Sequence, residues 1–142
     1  RALAHLHGPL GRDDLHATFI GSGDAFDDLV ALASRLGLDG VVEFTGRVPD
    51  ETVQRYLSTA DVCLSPDPKN PLNDVSTMNK VLEYMACAKP VVCYDLREHR
   101  YSAGEGAVYA RADDVGDLAA QIVALIDDPA RRARVAAAQP AV

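Results

Sequence analysis

Apolar residues recur along the chain in two rhythms, short continuous runs and stripes three or four residues apart. "LHATFIGSG" (15–23), "VVEFTG" (41–46), "DVCLSP" (61–66), "PVVCYD" (90–95) and "GAVYA" (106–110) are runs of strand type. Between them lie helical stripes. In "DAFDDLVALASRLG" (24–37) the apolar positions Phe26, Leu29, Val30, Ala33 and Leu36 share one face, with Asp24 expected as N-cap and Gly37 as C-cap. Asp50 is expected to cap "ETVQRYLSTA" (51–60). "VGDLAAQIVALIDD" (115–128) is a further helix, and Pro129 opens a last one, "ARRARVAAA" (130–138), at the first-turn position that tolerates proline. The opening "RALAHLHGPLGRDD" reads as the end of a helix running into a turn.

Short apolar strands alternating with helices indicate an α/β domain, a parallel sheet covered by helices on both faces. In such sheets ligands bind beyond the carboxyl ends of the strands. That edge is assigned to the loops at Gly21–Asp24, Gly46–Asp50, Ser65–Ser76 and Asp95–Ser102. The longest leads into "PLNDVSTMNKVLEYMACAKPVV" (71–92), which passes from loop to amphipathic helix to strand.

At about 100° per residue, Met78, Val81, Leu82 and Met85 form one stripe and are assigned to the core. Ser76, Asn79, Lys80, Glu83 and Cys87 lie roughly opposite. A helix start offers free N–H groups and the positive dipole end, which suit phosphate. A carboxylate farther along that face can accept from two adjacent hydroxyls, so a nucleoside diphosphate would match both features. An ordinary solvated face, with Lys80 beside Glu83, fits the same spacing.

With 142 residues the chain can bury roughly two-thirds of its unfolded surface in one domain. The formal charge of −7 argues against nucleic acid as partner. The cysteines Cys63, Cys87 and Cys93 lack metal-ligand spacing and read as compact core residues in a reduced, cytoplasmic setting. The adjacent acid pairs Asp13–Asp14, Asp27–Asp28, Asp113–Asp114 and Asp127–Asp128 read mainly as helix caps, and no metal site is expected. His5, His7 and His16 read as structural or solvated, and His99 as a loop residue that could reach a ligand.

The stretches "FIGSGD", "VVEFTGRVPDETVQRYLSTADVCLSPD", "KVLEYMACAKPVVCYD" and "GAVYARADDVGDLAAQIVALIDDPARR" resemble, in this order and from Leu15 onward, the C-terminal donor-binding half of family 4 (group 1) retaining glycosyltransferases of the GT-B fold. The resemblance implies a Rossmann-like three-layer domain spanning 1–142. It would be a fragment whose N-terminal acceptor domain lies elsewhere in a longer chain. It also implies a nucleotide sugar as donor, with no further cofactor, and retaining transfer of a hexose-type sugar. A glycan or lipid-linked sugar would be the acceptor, as in polysaccharide biosynthesis. A peripheral membrane association of the full-length enzyme is compatible with this.

By position, Glu83 is implied to hold the ribose hydroxyls. Thr77, Met78 and Asn79 would meet the phosphates and donor sugar. Gly46, Arg47 and Val48 would hold the base, and Gly21 and Gly23 complete the nucleotide-sugar set. The family's first glutamate, eight positions before Glu83, is replaced by Val75, and its phenylalanine–glycine pair by Thr77 and Met78. Asp74 or Ser76 is therefore expected to take over the donor-sugar contact as the catalytic candidate. Arg47, Lys69 and Lys80 are expected to be solvated cations near the cleft. Alternatives are a sugar-nucleotide epimerase of the same fold, or a non-catalytic nucleotide- or phosphate-binding module.

Overall fold

The structure is a computed structural model that describes residues 1–139. In chain order it contains α1 (Ala2–His7), β1 (Ala17–Ile20), α2 (Phe26–Arg35), β2 (Val42–Gly46), α3 (Asp50–Thr59), β3 (Cys63–Ser65), α4 (Asn79–Ala86), β4 (Val91–Tyr94), α5 (Arg97–Ala103), β5 (Ala107–Ala110), α6 (Val115–Ile126) and α7 (Pro129–Ala137). Short 3-10 turns at Asn73–Val75 and Gly104–Gly106 precede α4 and β5.

Every strand ladder is parallel, as the alternation requires, because parallel neighbours need a crossover and a helix supplies it. The strands fall into two ladders, β1–β2 and β3–β4–β5. They belong to two compact units, Arg1–Tyr56 and the chain from Leu57 onward. In the first, Ala17 lies opposite Val42, and the register shifts between Phe19 and Ile20. Ala33, Leu38 and Val41 form its buried cluster, with Leu3, Ala4, Val42 and Phe44 packed against it. Phe19 stacks on Phe44 at 5.2 Å between centroids.

In the second unit, Ser65 lies opposite Cys93, and Cys93 opposite Tyr109. All of β4 is buried, as expected of a central strand covered on both faces. Val81 and Met85 of α4 pack with Val91, Cys93, Ala103 and Ala107, flanked by Met78, Tyr84 and Tyr109. The α4 core stripe thus runs through Val81 and Met85, while Leu82 is half-buried. Each fully buried apolar side chain of this size contributes about 1.5–3 kcal/mol.

Several local expectations change. The Asp24 cap does not form: α2 starts at Phe26 with Ala25 as N-cap, because the chain first turns through Phe26 N–H to Gly23 O at 3.0 Å. Asp50 is the first residue of α3, and the carbonyl of Pro49 accepts from Thr52 and Val53. Leu36 is the C-cap of α2, with Gly37 following at φ +71°, the left-handed conformation that favours glycine. Asp114 and Asp128 do cap α6 and α7, accepting from the N–H groups of Asp117 and Arg131. Ser76 lies outside α4 in extended conformation, so it does not share the face of Asn79 and Glu83. Finally, the segment after β4 is helical: Leu96, His99 and Ala103 are buried along α5.

Candidate functional site

In the first unit the carboxyl ends of β1 and β2 meet at two glycines. Gly21 N–H donates to Gly46 O at 2.9 Å, and both have positive φ, +115° and +66°. An added Cβ would meet no atom within 4 Å at either residue, so the backbone conformation rather than packing calls for glycine. Gly23 accepts from Phe26 at the start of the turn into α2. Beside Gly46, Arg47 is exposed with no partner among the described residues, and Val48 is half-buried.

In the second unit the candidates gather on the approach to α4. Met78 is its N-cap, and no side chain caps it, so the first-turn N–H groups at Asn79 and Lys80 have no intrahelical acceptor. Asn79 and Glu83 are four residues apart on one exposed face. The Glu83 carboxylate makes no hydrogen bond or ion pair among the described residues.

The segment before α4 is held from the side by α5. Arg97 N–H donates to Asp74 Oδ1 at 2.9 Å, and Thr77 Oγ1 donates to Glu98 Oε1 at 2.6 Å. Glu98 also accepts from Ser102 Oγ at 2.9 Å. These two hydroxyls, Thr77 first, hold the Glu98 carboxyl below its ordinary value. Ser76 Oγ donates to Leu72 O at 2.6 Å, which leaves the hydroxyl oxygen able only to accept from a ligand.

Lys80 is not the solvated cation expected of it. Its Nζ donates to Asp67 Oδ1 at 2.7 Å, while Ser65 Oγ donates to Asp67 Oδ2 at 2.5 Å. Burial pushes the Asp67 carboxyl up, but the hydrogen bonds and charge of Lys80, with Ser65 and His99, outweigh it, and the net shift is downward. His99 is not available to a ligand: it is 1% exposed. Its Nδ1 lies 2.8 Å from Tyr94 O, and its Nε2 lies 3.4 Å from Ser65 Oγ. A carbonyl can only accept, so Nδ1 carries the proton. The effect is to fasten α4, through Lys80, to the end of β3 and to α5.

Beyond the carboxyl ends of β4 and β5 opens a cleft of about 400 Å³ lined by Lys69, Asp74, Asp95, Arg97, Arg111 and Ala112. It contains Asp74 from the sequence-derived set. Arg97 and Arg111 were not in that set, although Arg111 immediately follows β5 and Arg97 opens the helix that follows β4, both on the ligand-binding edge. Among the described residues, no group of three or more His, Cys, Asp or Glu is placed to hold a metal ion. No helix there is long and apolar enough to cross a membrane.

Residues 1–128 match the family described as glycosyl transferases group 1. The chain is 32% identical over 120 residues to the D-inositol 3-phosphate glycosyltransferase of Thermomonospora curvata, which covers 82% of this chain and 27% of that protein. Among solved structures it is similar to Anabaena Alr3699/HepE in complex with UDP-glucose, with TM-score 0.74, 23% identity, and 95% of this chain and 36% of that one covered. It is also similar to WaaG, a glycosyltransferase involved in lipopolysaccharide biosynthesis, with TM-score 0.78, 19% identity, and coverage of 96% and 35%. The fold is thus a Rossmann-like α/β domain of the GT-B glycosyltransferase type. The chain belongs to the group 1 glycosyltransferases. It spans about a quarter of the curated relative and about a third of these two structures' chains.

Proposed function

We propose that residues 1–142 are the donor half of a retaining glycosyltransferase of family 4, binding a nucleotide-activated hexose. The observation that carries this reading is the unpartnered Glu83 carboxylate, one helical turn beyond Asn79 at the uncapped start of α4. A diphosphate would accept from the first-turn N–H groups near Thr77, Met78 and Asn79, with the ribose diol donating to Glu83. Gly46, Arg47 and Val48 would hold the base, with Gly21 and Gly23 shaping the adjoining edge. UDP-glucose in the Anabaena relative supports a uridine nucleotide.

Asp74 is the better candidate for the donor-sugar contact. Its Oδ1 is fixed by Arg97 N–H, it lines the cleft, and its second oxygen makes no hydrogen bond among the described residues. Ser76 would act as a secondary acceptor. As the sugar C1–O bond breaks, the electron pair leaves on the diphosphate, and the fixed N–H groups would stabilise the growing charge. The acceptor half would lie in the same parent chain, which would work in the cytoplasm on glycan or lipid-linked acceptors, with peripheral membrane contact. Metal independence belongs to the same proposal, and chelation should leave most of the parent's rate.

The test is to incubate the parent chain with a panel of sugar nucleotides and acceptors and to read the anomeric configuration of the product. Transfer with retention from a uridine-linked hexose is the expected result. Epimerised donor without transfer, or nucleotide binding with no turnover of any donor, would point to another function.

A further inference from the structure

Lys69 in the loop after β3, Arg97 opening α5 and Arg111 after β5 all line the cleft beyond β4 and β5. Such a grouping is not what the composition favours, since the chain has 14 Lys and Arg against 21 Asp and Glu. The acids around the cleft are largely engaged. Asp95 is held at both oxygens by Arg100, at 2.8 and 2.7 Å. Asp74 Oδ1 accepts from Arg97 N–H, and Asp113 Oδ1 accepts from Lys69 N–H at 3.0 Å.

The Lys69 ammonium and Arg97 guanidinium make no hydrogen bond or ion pair among the described residues, and act only through space, Lys69 on Asp95 and Arg97 on Glu98. Arg111 leans on Asp114 at 3.1 Å and Asp117 at 3.7 Å. Its side chain is 78% exposed, and such an ion pair is worth little, so it can be exchanged for a stronger anion.

We propose that this cleft is an oxyanion site that takes a phosphate group carried by a sugar substrate, separate from the diphosphate position at the start of α4. Phosphate rather than carboxylate follows from the arrangement: three cations from three segments suit a tetrahedral dianion, and the Arg97 fork can hold two of its oxygens. That the phosphate belongs to a substrate rests on the donor-half reading; the anion site does not. Asp74, the donor-sugar candidate, lines the same cleft, so a phosphate held here would bring its sugar to the place where transfer is proposed.

The probe is inorganic phosphate, titrated into the isotope-labelled protein at constant ionic strength and followed by NMR. Saturable shifts at Lys69, Arg97, Arg111 and Ala112 are expected. Lys69→Ala with Arg97→Ala should weaken the binding about tenfold or more. Both substitutions retain the backbone N–H groups that tie these residues to Asp113 and Asp74, so the local fold should persist; Arg134→Ala on α7 is the control and should change nothing.

Hexose 6-phosphate should bind more tightly than inorganic phosphate, and glucuronate far more weakly than either. Shifts absent from the cleft or centred on Thr77–Asn79, an unchanged affinity in the double variant, or glucuronate binding as tightly as hexose 6-phosphate would each overturn the proposal. Glu83-dependent nucleotide binding without phosphate shifts at the cleft sinks this inference alone. Phosphate binding at the cleft with no nucleotide binding sinks the donor reading and leaves the anion site standing.

Discussion

Thr77 donates its hydroxyl proton to Glu98 at 2.6 Å, joining the segment before α4 to a residue of α5 that lies 21 positions later in the chain. Together with Arg97 N–H on Asp74, this bond fixes the backbone that leads to the free N–H groups of Asn79 and Lys80. Glu98→Ala removes the acceptor, whereas Glu98→Gln keeps one oxygen. Amide exchange over residues 76–79 should rise roughly threefold to tenfold in the alanine variant and less in the glutamine variant. Equal exchange in both would show that α5 does not hold this segment.

The same bond has a pH signature. The folded carboxyl of Glu98 is held down by Thr77 and then Ser102, so the unfolded state takes up a proton first as pH falls. The tie is therefore complete above about pH 4.3 and is lost as pH falls through the lower folded value. Exchange over 76–79, corrected for intrinsic rates, should be flat from neutral pH to about pH 5. It should climb only in stronger acid, and a climb near neutral pH would contradict the assignment.

Lys80→Met leaves Asp67 half-buried with only Ser65 and His99 beside it. The side chains are 39% and 18% exposed, so the pair is screened in part, and the loss should be about 1–2 kcal/mol in urea denaturation. Adding Asp67→Asn should restore part of that loss, because no uncompensated charge then remains. A single variant as stable as the parent would make Lys80 the solvated cation that its helix position first indicated.

Ala88 follows the end of α4 at φ +51°, a conformation in which its Cβ is crowded. Ala88 N–H donates to Met85 O at 2.8 Å and Lys89 N–H to Tyr84 O at 2.9 Å, the bonding pattern that ordinarily has glycine here. Ala88→Gly should stabilise the protein by about 0.5–1 kcal/mol, relief of strain exceeding the added freedom of the unfolded chain. A lower melting temperature would contradict this.

Burial pushes the Cys63 thiol up to about 11 and Cys93 up to about 12, while Cys87 is the least buried of the three. At pH 8 a thiol reagent should therefore modify Cys87 first, with the other two following at the rate of unfolding. Equal rates for all three in the folded protein would mean that the core around β3 and β4 opens readily.

The alternation of strands and helices was legible because each main element buries a face with its own period. The helix α5 was not, because "REHRYSA" is polar or charged at most positions and its inward contacts are made by Leu96, a histidine and Ala103. A His99 spaced three from Leu96 and four from Ala103 was the available signal, hidden by the usual polarity of histidine. The start of α4 was misjudged for a different reason. Asn73 N–H bonds to Asn70 Oδ1 at 2.8 Å and Ser76 bonds back to Leu72, so a local turn occupies residues that periodicity would extend into the helix. The cleft cations were invisible to local pattern, since Lys69, Arg97 and Arg111 come together only when the ends of β3, β4 and β5 do.

The most direct test of the donor-half proposal is the affinity for UDP, measured by calorimetry with Glu83 and with Glu83→Gln in the chain joined to the acceptor half that the proposal assigns to it. Charge-assisted hydrogen bonds contribute roughly 1.5–3 kcal/mol, so the substitution should weaken UDP binding by about ten- to a hundredfold. Ligand-free stability should stay within about 0.5 kcal/mol, because Glu83 is exposed on the face away from Val81 and Met85. If Glu83→Gln binds UDP as tightly as the parent, Glu83 belongs to an ordinary solvated helix face and the account loses its central residue.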